Sequence, residues 1–268
     1  MTFPARRILV PDDLSPASRG TWAWARRFAA PDARLDSLFV YDLPPVPVMG
    51  MPAPPLSAGT KKNVLARMKR ERPDAADWRV EEGDSVSAIL RRGRRSDLVV
   101  VGTHGRTGLA RAAFGSVAES VMRESLVPVL AVRAAPPKEI RSVLAPVNLQ
   151  PYAFKGLLLG AEAAVHFGAQ LVVLHVNARG AEEGNPLIFI NALLKRLPAE
   201  LRAKVSPRVL LLGGEPISAI LAESRRHGLV AMTAHRKSLF GDFVLGTTIE
   251  RVTRHASVPV LAAPSAER

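Results

Sequence analysis

The chain repeats itself. Ile8–Asp13 (ILVPDD) returns as Val143–Asn148 (VLAPVN), 135 residues later. Gly83–Leu90 (GDSVSAIL) returns as Gly214–Leu221 (GEPISAIL), and Ser125–Val132 (SLVPVLAV) as Ala256–Ala263 (ASVPVLAA), each 131 residues later. Three blocks in one order mean two homologous halves. The four-residue slippage falls between the first two blocks, where the first half carries Leu43–Leu56 (LPPVPVMGMPAPPL). Its prolines favour extended chain, so the stretch reads as a long irregular loop.

Each half alternates strand and helix patterns. In the first, Ile8–Pro11 is a short buried strand, and Pro16–Ala30 a helix with Ser15 as its N-cap. Leu35–Tyr41 is a second strand. Thr60–Arg72 is an amphipathic helix with Val64, Leu65 and Met68 on one face. Trp78–Glu81 is a short strand, followed by a helix over Asp84–Arg94. Asp97–Gly102 (DLVVVG) is almost wholly apolar, as a strand covered on both faces must be. A last helix starts near Ser116, and Pro128–Val132 is a strand. The same order is expected from Arg141 to Ala263, after the linker Arg133–Ile140. This predicts an α/β fold: two repeated doubly wound sandwiches, each a five-stranded parallel sheet with four helices. The expected domains are 1–135 and 139–268.

Composition excludes several chemistries. Cysteine is absent, which removes disulfides, thiol nucleophiles and Cys-ligated metal. None of the six histidines forms an HxxxH or HxxE pair, so zinc is not expected. No GxxxxGK[ST], GxGxxG or GxSxG occurs. No apolar run has the length of a membrane span, and Met1–Ser15 lacks the apolar core of a secretory signal, so a cytoplasmic protein without membrane contact is expected. The 268 residues carry a net charge of +13, which favours encounter with polyanions. Arg91, Arg92, Arg94 and Arg95 have no interleaved aromatics and read as a solvated helix end, so specific nucleic-acid binding is not expected.

The informative chemistry lies in Gly102–Ser116 (GTHGRTGLARAAFGS). It follows the most apolar strand and leads into a helix. Ligands of open α/β sheets sit at this end of the strands, where unpaired amides of a helix N-terminus favour an anion. Residues alone leave two readings open, a phosphate cradle or an ordinary glycine-rich loop.

The stretch resembles the universal stress protein family, in tandem. That family's nucleotide motif is Gly, two residues, Gly, nine residues, Gly, then Ser or Thr. Gly102, Gly105, Gly115 and Ser116 match it at every spacing, and Pro11, Asp12 and Asp13 match the family's first-strand ending. The resemblance covers both halves. It implies ATP, or ADP or AMP, with magnesium accompanying a triphosphate. Asp13 and Val40 would hold the adenine, and Val101 and Gly102 the ribose side. His104, Gly105, Gly115, Ser116 and Val117 would surround the phosphates.

The second half departs from this pattern. Thr233 stands where Gly102 does, Arg236 where Gly105 does, and Asn148 where Asp13 does. It therefore reads as a degenerate nucleotide site, largely structural. The resulting expectation is a stress-response or signalling module binding an adenine nucleotide in its first domain. With no evident general base, ATP hydrolysis is slow at most. The alternative is a nucleotide-independent scaffold or a nucleic-acid-associated basic protein. Each half ends in VPVLA, Val127–Ala131 and Val258–Ala262, an apolar edge that invites pairing. The two copies are expected to pair within one chain as a pseudo-twofold dimer, any further homodimer using other surfaces.

Overall fold

The computed structural model describes residues 2–16, 18–42, 55–103, 115–178, 184–239, 242–245 and 247–264, with backbone alone over 236–247. The first half runs β1 (Ala5–Pro11), α1 (Ser18–Phe28), β2 (Ala29–Tyr41), α2 (Ala58–Glu71), β3 (Asp77–Glu82), α3 (Ser85–Gly93), β4 (Leu98–Gly102), α4 (Ser116–Glu124) and β5 (Val129–Val132). The second runs β6 (Ser142–Pro146), α5 (Ala153–Phe167), β7 (Gln170–Asn177), α6 (Pro186–Lys195), α7 (Ala199–Lys204), β8 (Arg208–Gly213) and α8 (Pro216–Ser224). It ends with β9 (Leu229–Ala234), β10 (Arg236–Leu239), β11 (Asp242–Leu245), α9 (Thr247–His255) and β12 (Val260–Pro264).

Ten strands form one sheet in the order β3-β2-β1-β4-β5-β12-β9-β6-β7-β8. Neighbours are parallel throughout except where the halves meet. There β5 and β12 pair antiparallel, Leu130 opposite Leu261, with Ala131 opposite Val260 and Val129 opposite Ala262. The sequence pattern accounts for the burial. Successive side chains of a strand point to opposite faces. Along β4, Leu98 and Val100 enter one core and Val99 and Val101 the other. β12 divides likewise, Leu261 and Ala263 against Val260 and Ala262. Helices cover both faces, so an apolar run is required rather than an alternating one.

The halves also meet through helices. Phe28 of α1 packs edge-on against Phe167 of α5 at 4.9 Å, and Phe3 lies 4.8 Å from Phe28. Trp24 donates its indole N–H to the linker carbonyl of Ala134 at 2.9 Å. In α5, Gly156 lets the helix lie directly on β9. A Cβ there would stand 2.6 Å from the Thr233 amide nitrogen.

Two expectations change. α1 begins at Ser18 rather than Pro16, and Ser15 does not cap it through its side chain. The Ser15 hydroxyl is buried with no hydrogen-bond partner among the described residues, while its carbonyl accepts the Ser18 hydroxyl at 2.7 Å. The second half is also not a strict copy of the first. Between β7 and β8 the helical stretch is divided into α6 and α7, because Pro198 has no amide hydrogen to continue the first helix. After β9 the backbone forms the hairpin β10–β11, Arg236 opposite Leu245, and the matching stretch after β4 lies outside the described residues. No helix among the described residues is long and apolar enough to cross a membrane.

Candidate functional site

A cleft of about 690 Å³ opens at the C-terminal ends of β1, β2 and β4. Pro11, Asp12, Asp13, Val40, Val101, Gly102, Gly115, Ser116 and Val117 all line it. Of the residues expected there, His104 and Gly105 lie outside the described residues, as do 43–54 of the proline-rich stretch. Sequence reading did not single out Asp42, Ser85 and Ile89, which close the far wall, or Ser18 and Thr21 beneath it.

The turn after β1 is built by its own carboxylates. Asp12 continues the strand register, its amide donating to the Leu38 carbonyl at 2.8 Å. Its Oδ1 accepts the Leu14 amide at 2.8 Å, and Asp13 Oδ1 accepts the Ser15 amide at 2.9 Å. These Asx bonds hold Leu14 at φ +58°, a region that a branched side chain rarely adopts. The Leu14 carbonyl in turn accepts Arg67 Nη2 at 2.6 Å.

Asp12 lines the cleft, but its carboxylate is committed elsewhere. Arg72 Nε stands 2.8 Å from Asp12 Oδ2, with the two side chains 3% and 0% exposed. Arg72 Nη2 also donates to the Ser18 hydroxyl at 2.9 Å. The pair ties α2 to the turn, so Asp12 positions the site. Asp13 pairs with no cation among the described residues, and its Oδ2 is buried without a hydrogen-bond partner there.

On the far wall, Asp42 Oδ1 accepts both the Ser85 amide at 3.0 Å and the Ser85 hydroxyl at 2.7 Å. Ser85 opens α3, whose N-cap Asp84 accepts the Ser87 amide at 2.7 Å. The Ser87 side chain, and then that amide, hold the Asp84 carboxyl below its usual range.

The N-terminus of α4 is left open by contrast. Gly115 is the N-cap, so no N-cap side chain covers the first amides, and none is bonded to them among the described residues. The helical bonds begin with the Glu119 amide on the Gly115 carbonyl at 3.0 Å. Amides of Ser116, Val117 and Ala118 therefore face the cleft end with the positive pole of the helix behind them. Gly115 has φ −65° and ψ 135°, which any residue adopts. Among the described residues a Cβ would come nearest the Thr103 carbonyl oxygen, at 3.4 Å, so packing among those residues does not demand glycine there.

The corresponding cleft of the second half is about 330 Å³. Asn148 and Thr233 line it, as their alignment with Asp13 and Gly102 requires, but so do Tyr152 and His235. These two rings stack at 4.0 Å and 2°. Asn148 Nδ2 donates to the Tyr152 hydroxyl at 2.6 Å, and the Thr233 hydroxyl donates to the Tyr152 carbonyl at 2.9 Å. The Arg236 side chain lies outside the described atoms.

A sequence profile described as the universal stress protein family matches residues 4–133 and again 139–264. Universal stress protein MJ0531 of Methanocaldococcus jannaschii is 32% identical over 147 residues, covering 50% of this chain and 85% of the relative. Among solved structures, a universal stress protein from Archaeoglobus fulgidus superposes with a TM-score of 0.73 at 20% identity, over 98% of this chain and 97% of that one. A putative universal stress protein from Pseudomonas aeruginosa superposes with a TM-score of 0.65 at 17% identity, over 97% and 93%. The structures share the fold, and the profile and the curated relative assign the sequence. The chain belongs to the universal stress protein family, with the family's unit present twice.

Proposed function

We propose that the first cleft binds ATP or a related adenine nucleotide, and that its occupancy is the signal of a stress-response module. The single observation that carries this reading is the uncapped N-terminus of α4 at one end of a 690 Å³ cleft otherwise walled by Val40, Val101 and Ile89. Phosphates suit the first, and a base the second. Asp13, which lines the cleft just after β1, is placed for an exocyclic amine or a ribose hydroxyl. Glycine at 115, where the backbone could carry a side chain, keeps the helix end clear for a ligand. Magnesium would arrive with the triphosphate, since no cluster of three or more ligating side chains stands among the described residues.

The second cleft is proposed as nucleotide-free, its smaller volume bordered by the Tyr152–His235 stack. No base beside the phosphate end is apparent among the described residues, so the reading is of binding without fast turnover. The test is the nucleotide content of the purified chain. Denaturation should release adenine nucleotide in amounts approaching the protein concentration, resolved by anion-exchange chromatography. A chain that carries none, and takes none up at millimolar ATP, would leave the scaffold reading in its place.

A further inference from the structure

Beside the first cleft, at the same edge of the sheet, lies a cleft that the nucleotide reading does not use. It lies at the seam of the two halves, about 430 Å³ in volume, between the linker after β5 and the loops preceding β9 and β12. Arg133, Arg141, Arg225, Arg226 and His227 line it, with Glu139 as the one acidic lining residue.

Two helices end there, and three of the four guanidinium groups, those of Arg133, Arg225 and Arg226, stand at their ends. Arg133 donates through Nη2 to the carbonyls of Thr253 and Arg254, the last turn of α9. Arg225 is the C-cap of α8, and Arg226 follows it. The negative poles of both helices stabilise these cations and offset their mutual repulsion. Carboxylates neutralise only some of them. Arg141 pairs with Glu139 at 3.0 Å, and Arg226 with Glu223 at 3.2 Å. His227 spans Ser142 at 2.8 Å and Glu223 at 3.2 Å. Neither Arg133 nor Arg225 pairs with a carboxylate among the described residues.

Arg133 is the most informative of the group. Its Nε is buried and has no acceptor among the described residues. Burial, with no compensating carboxylate, holds its pKa below that of a free arginine. A half-buried cation without a counter-charge is a cost that a bound anion removes.

We propose that this seam cleft is a second ligand site, for a small molecule carrying two or more phosphate groups. Guanidinium forks suit phosphate oxygens in pairs, and the volume is that of a compact anion rather than of a polymer. The site is lined by different residues from the nucleotide cleft and does not rest on its assignment.

Inorganic pyrophosphate is the probe. Calorimetric titration of the full chain should show saturable binding, weakened about tenfold or more by Arg225→Ala with Arg226→Ala, the loss expected for charge-assisted hydrogen bonds. Both side chains are exposed, so the fold should survive. Arg94→Ala with Arg95→Ala removes the same charge elsewhere and should leave the affinity within about twofold. Amide shifts on adding pyrophosphate should appear at Ser142, His227 and Gly228. Equal weakening by the two double variants would overturn the proposal. So would shifts confined to Ser116, Val117 and Ala118, or the absence of saturable binding.

Discussion

Arg72 and Asp12, sixty positions apart in sequence, form an ion pair at 2.8 Å that is closed to solvent, 3% and 0% exposed. It fastens the C-terminal end of α2 to the turn that forms one wall of the first cleft. Removing one partner of a buried pair leaves an uncompensated charge, at a cost of about 3–5 kcal/mol. Arg72→Met should lower the urea-unfolding free energy by that order. Arg72→Met combined with Asp12→Asn, which keeps the Oδ1 acceptor for the Leu14 amide, should recover part of it. A single variant costing less than about 1 kcal/mol would show that the pair does not hold the turn.

Acid should weaken the protein through identifiable carboxylates. Asp84 is held below its usual range by Ser87, Asp74 by its hydrogen bond from Arg26, and Glu71 by its hydrogen bond from Arg67. A depressed folded pKa contributes stability above the unfolded value, near about 4, and loses it as pH falls through the folded value. The melting temperature should be flat from about pH 7 to 5 with respect to these groups and fall below about 4. Asp74→Asn with Asp84→Asn should flatten that acid limb. An unchanged limb would assign acid sensitivity to other groups.

The seam strands should not tolerate charge. Val129 and Val260 are each 1% exposed on β5 and β12, the two strands that join the halves. Val129→Glu with Val260→Glu buries two carboxylates with no partner, each costing several kcal/mol. Aggregation or loss of cooperative unfolding is expected by light scattering and circular dichroism. A soluble double variant with an unchanged melting temperature would show that the halves are not joined through these strands.

Gly156 offers a subtler test of packing. A Cβ there must displace backbone at Thr233 and Met232, 2.6 and 2.7 Å away. Gly156→Ala should destabilise by about 1–3 kcal/mol despite the higher helix propensity of alanine. Stabilisation instead would mean that α5 does not lie this close to β9.

Much of the fold was legible because burial on both faces of a parallel sheet leaves apolar runs such as Leu98–Val101, and because the repeat marked each half. The cleft-lining positions Asp13, Gly102, Gly115 and Ser116 were legible because strand ends and helix starts carry them, and Pro11 and Val101 through the resemblance to the family's motif. Other features carry no local signal. Nothing near Asp12 in sequence points to Arg72, so Asp12 read only as part of the first-strand motif and not as half of a buried pair. The positive φ of Leu14 depends on two aspartate side chains bonding forward, which periodicity does not report. The Tyr152–His235 stack joins residues from separate crossovers, invisible to either one. Pro198 was in view, and dividing the helical stretch there needed only its missing donor. The β10–β11 hairpin, in contrast, has no counterpart in the first-half pattern from which the second was read.

The most direct measurement is an ATP titration of the chain and of its Gly105→Arg variant, which writes the second half's residue into the first. The wild-type chain should bind one ATP per molecule. The variant should lose that binding while keeping the melting temperature of the nucleotide-free protein. ATP affinity unchanged by Gly105→Arg, or two equivalent sites per chain, would contradict a single nucleotide site in the first half.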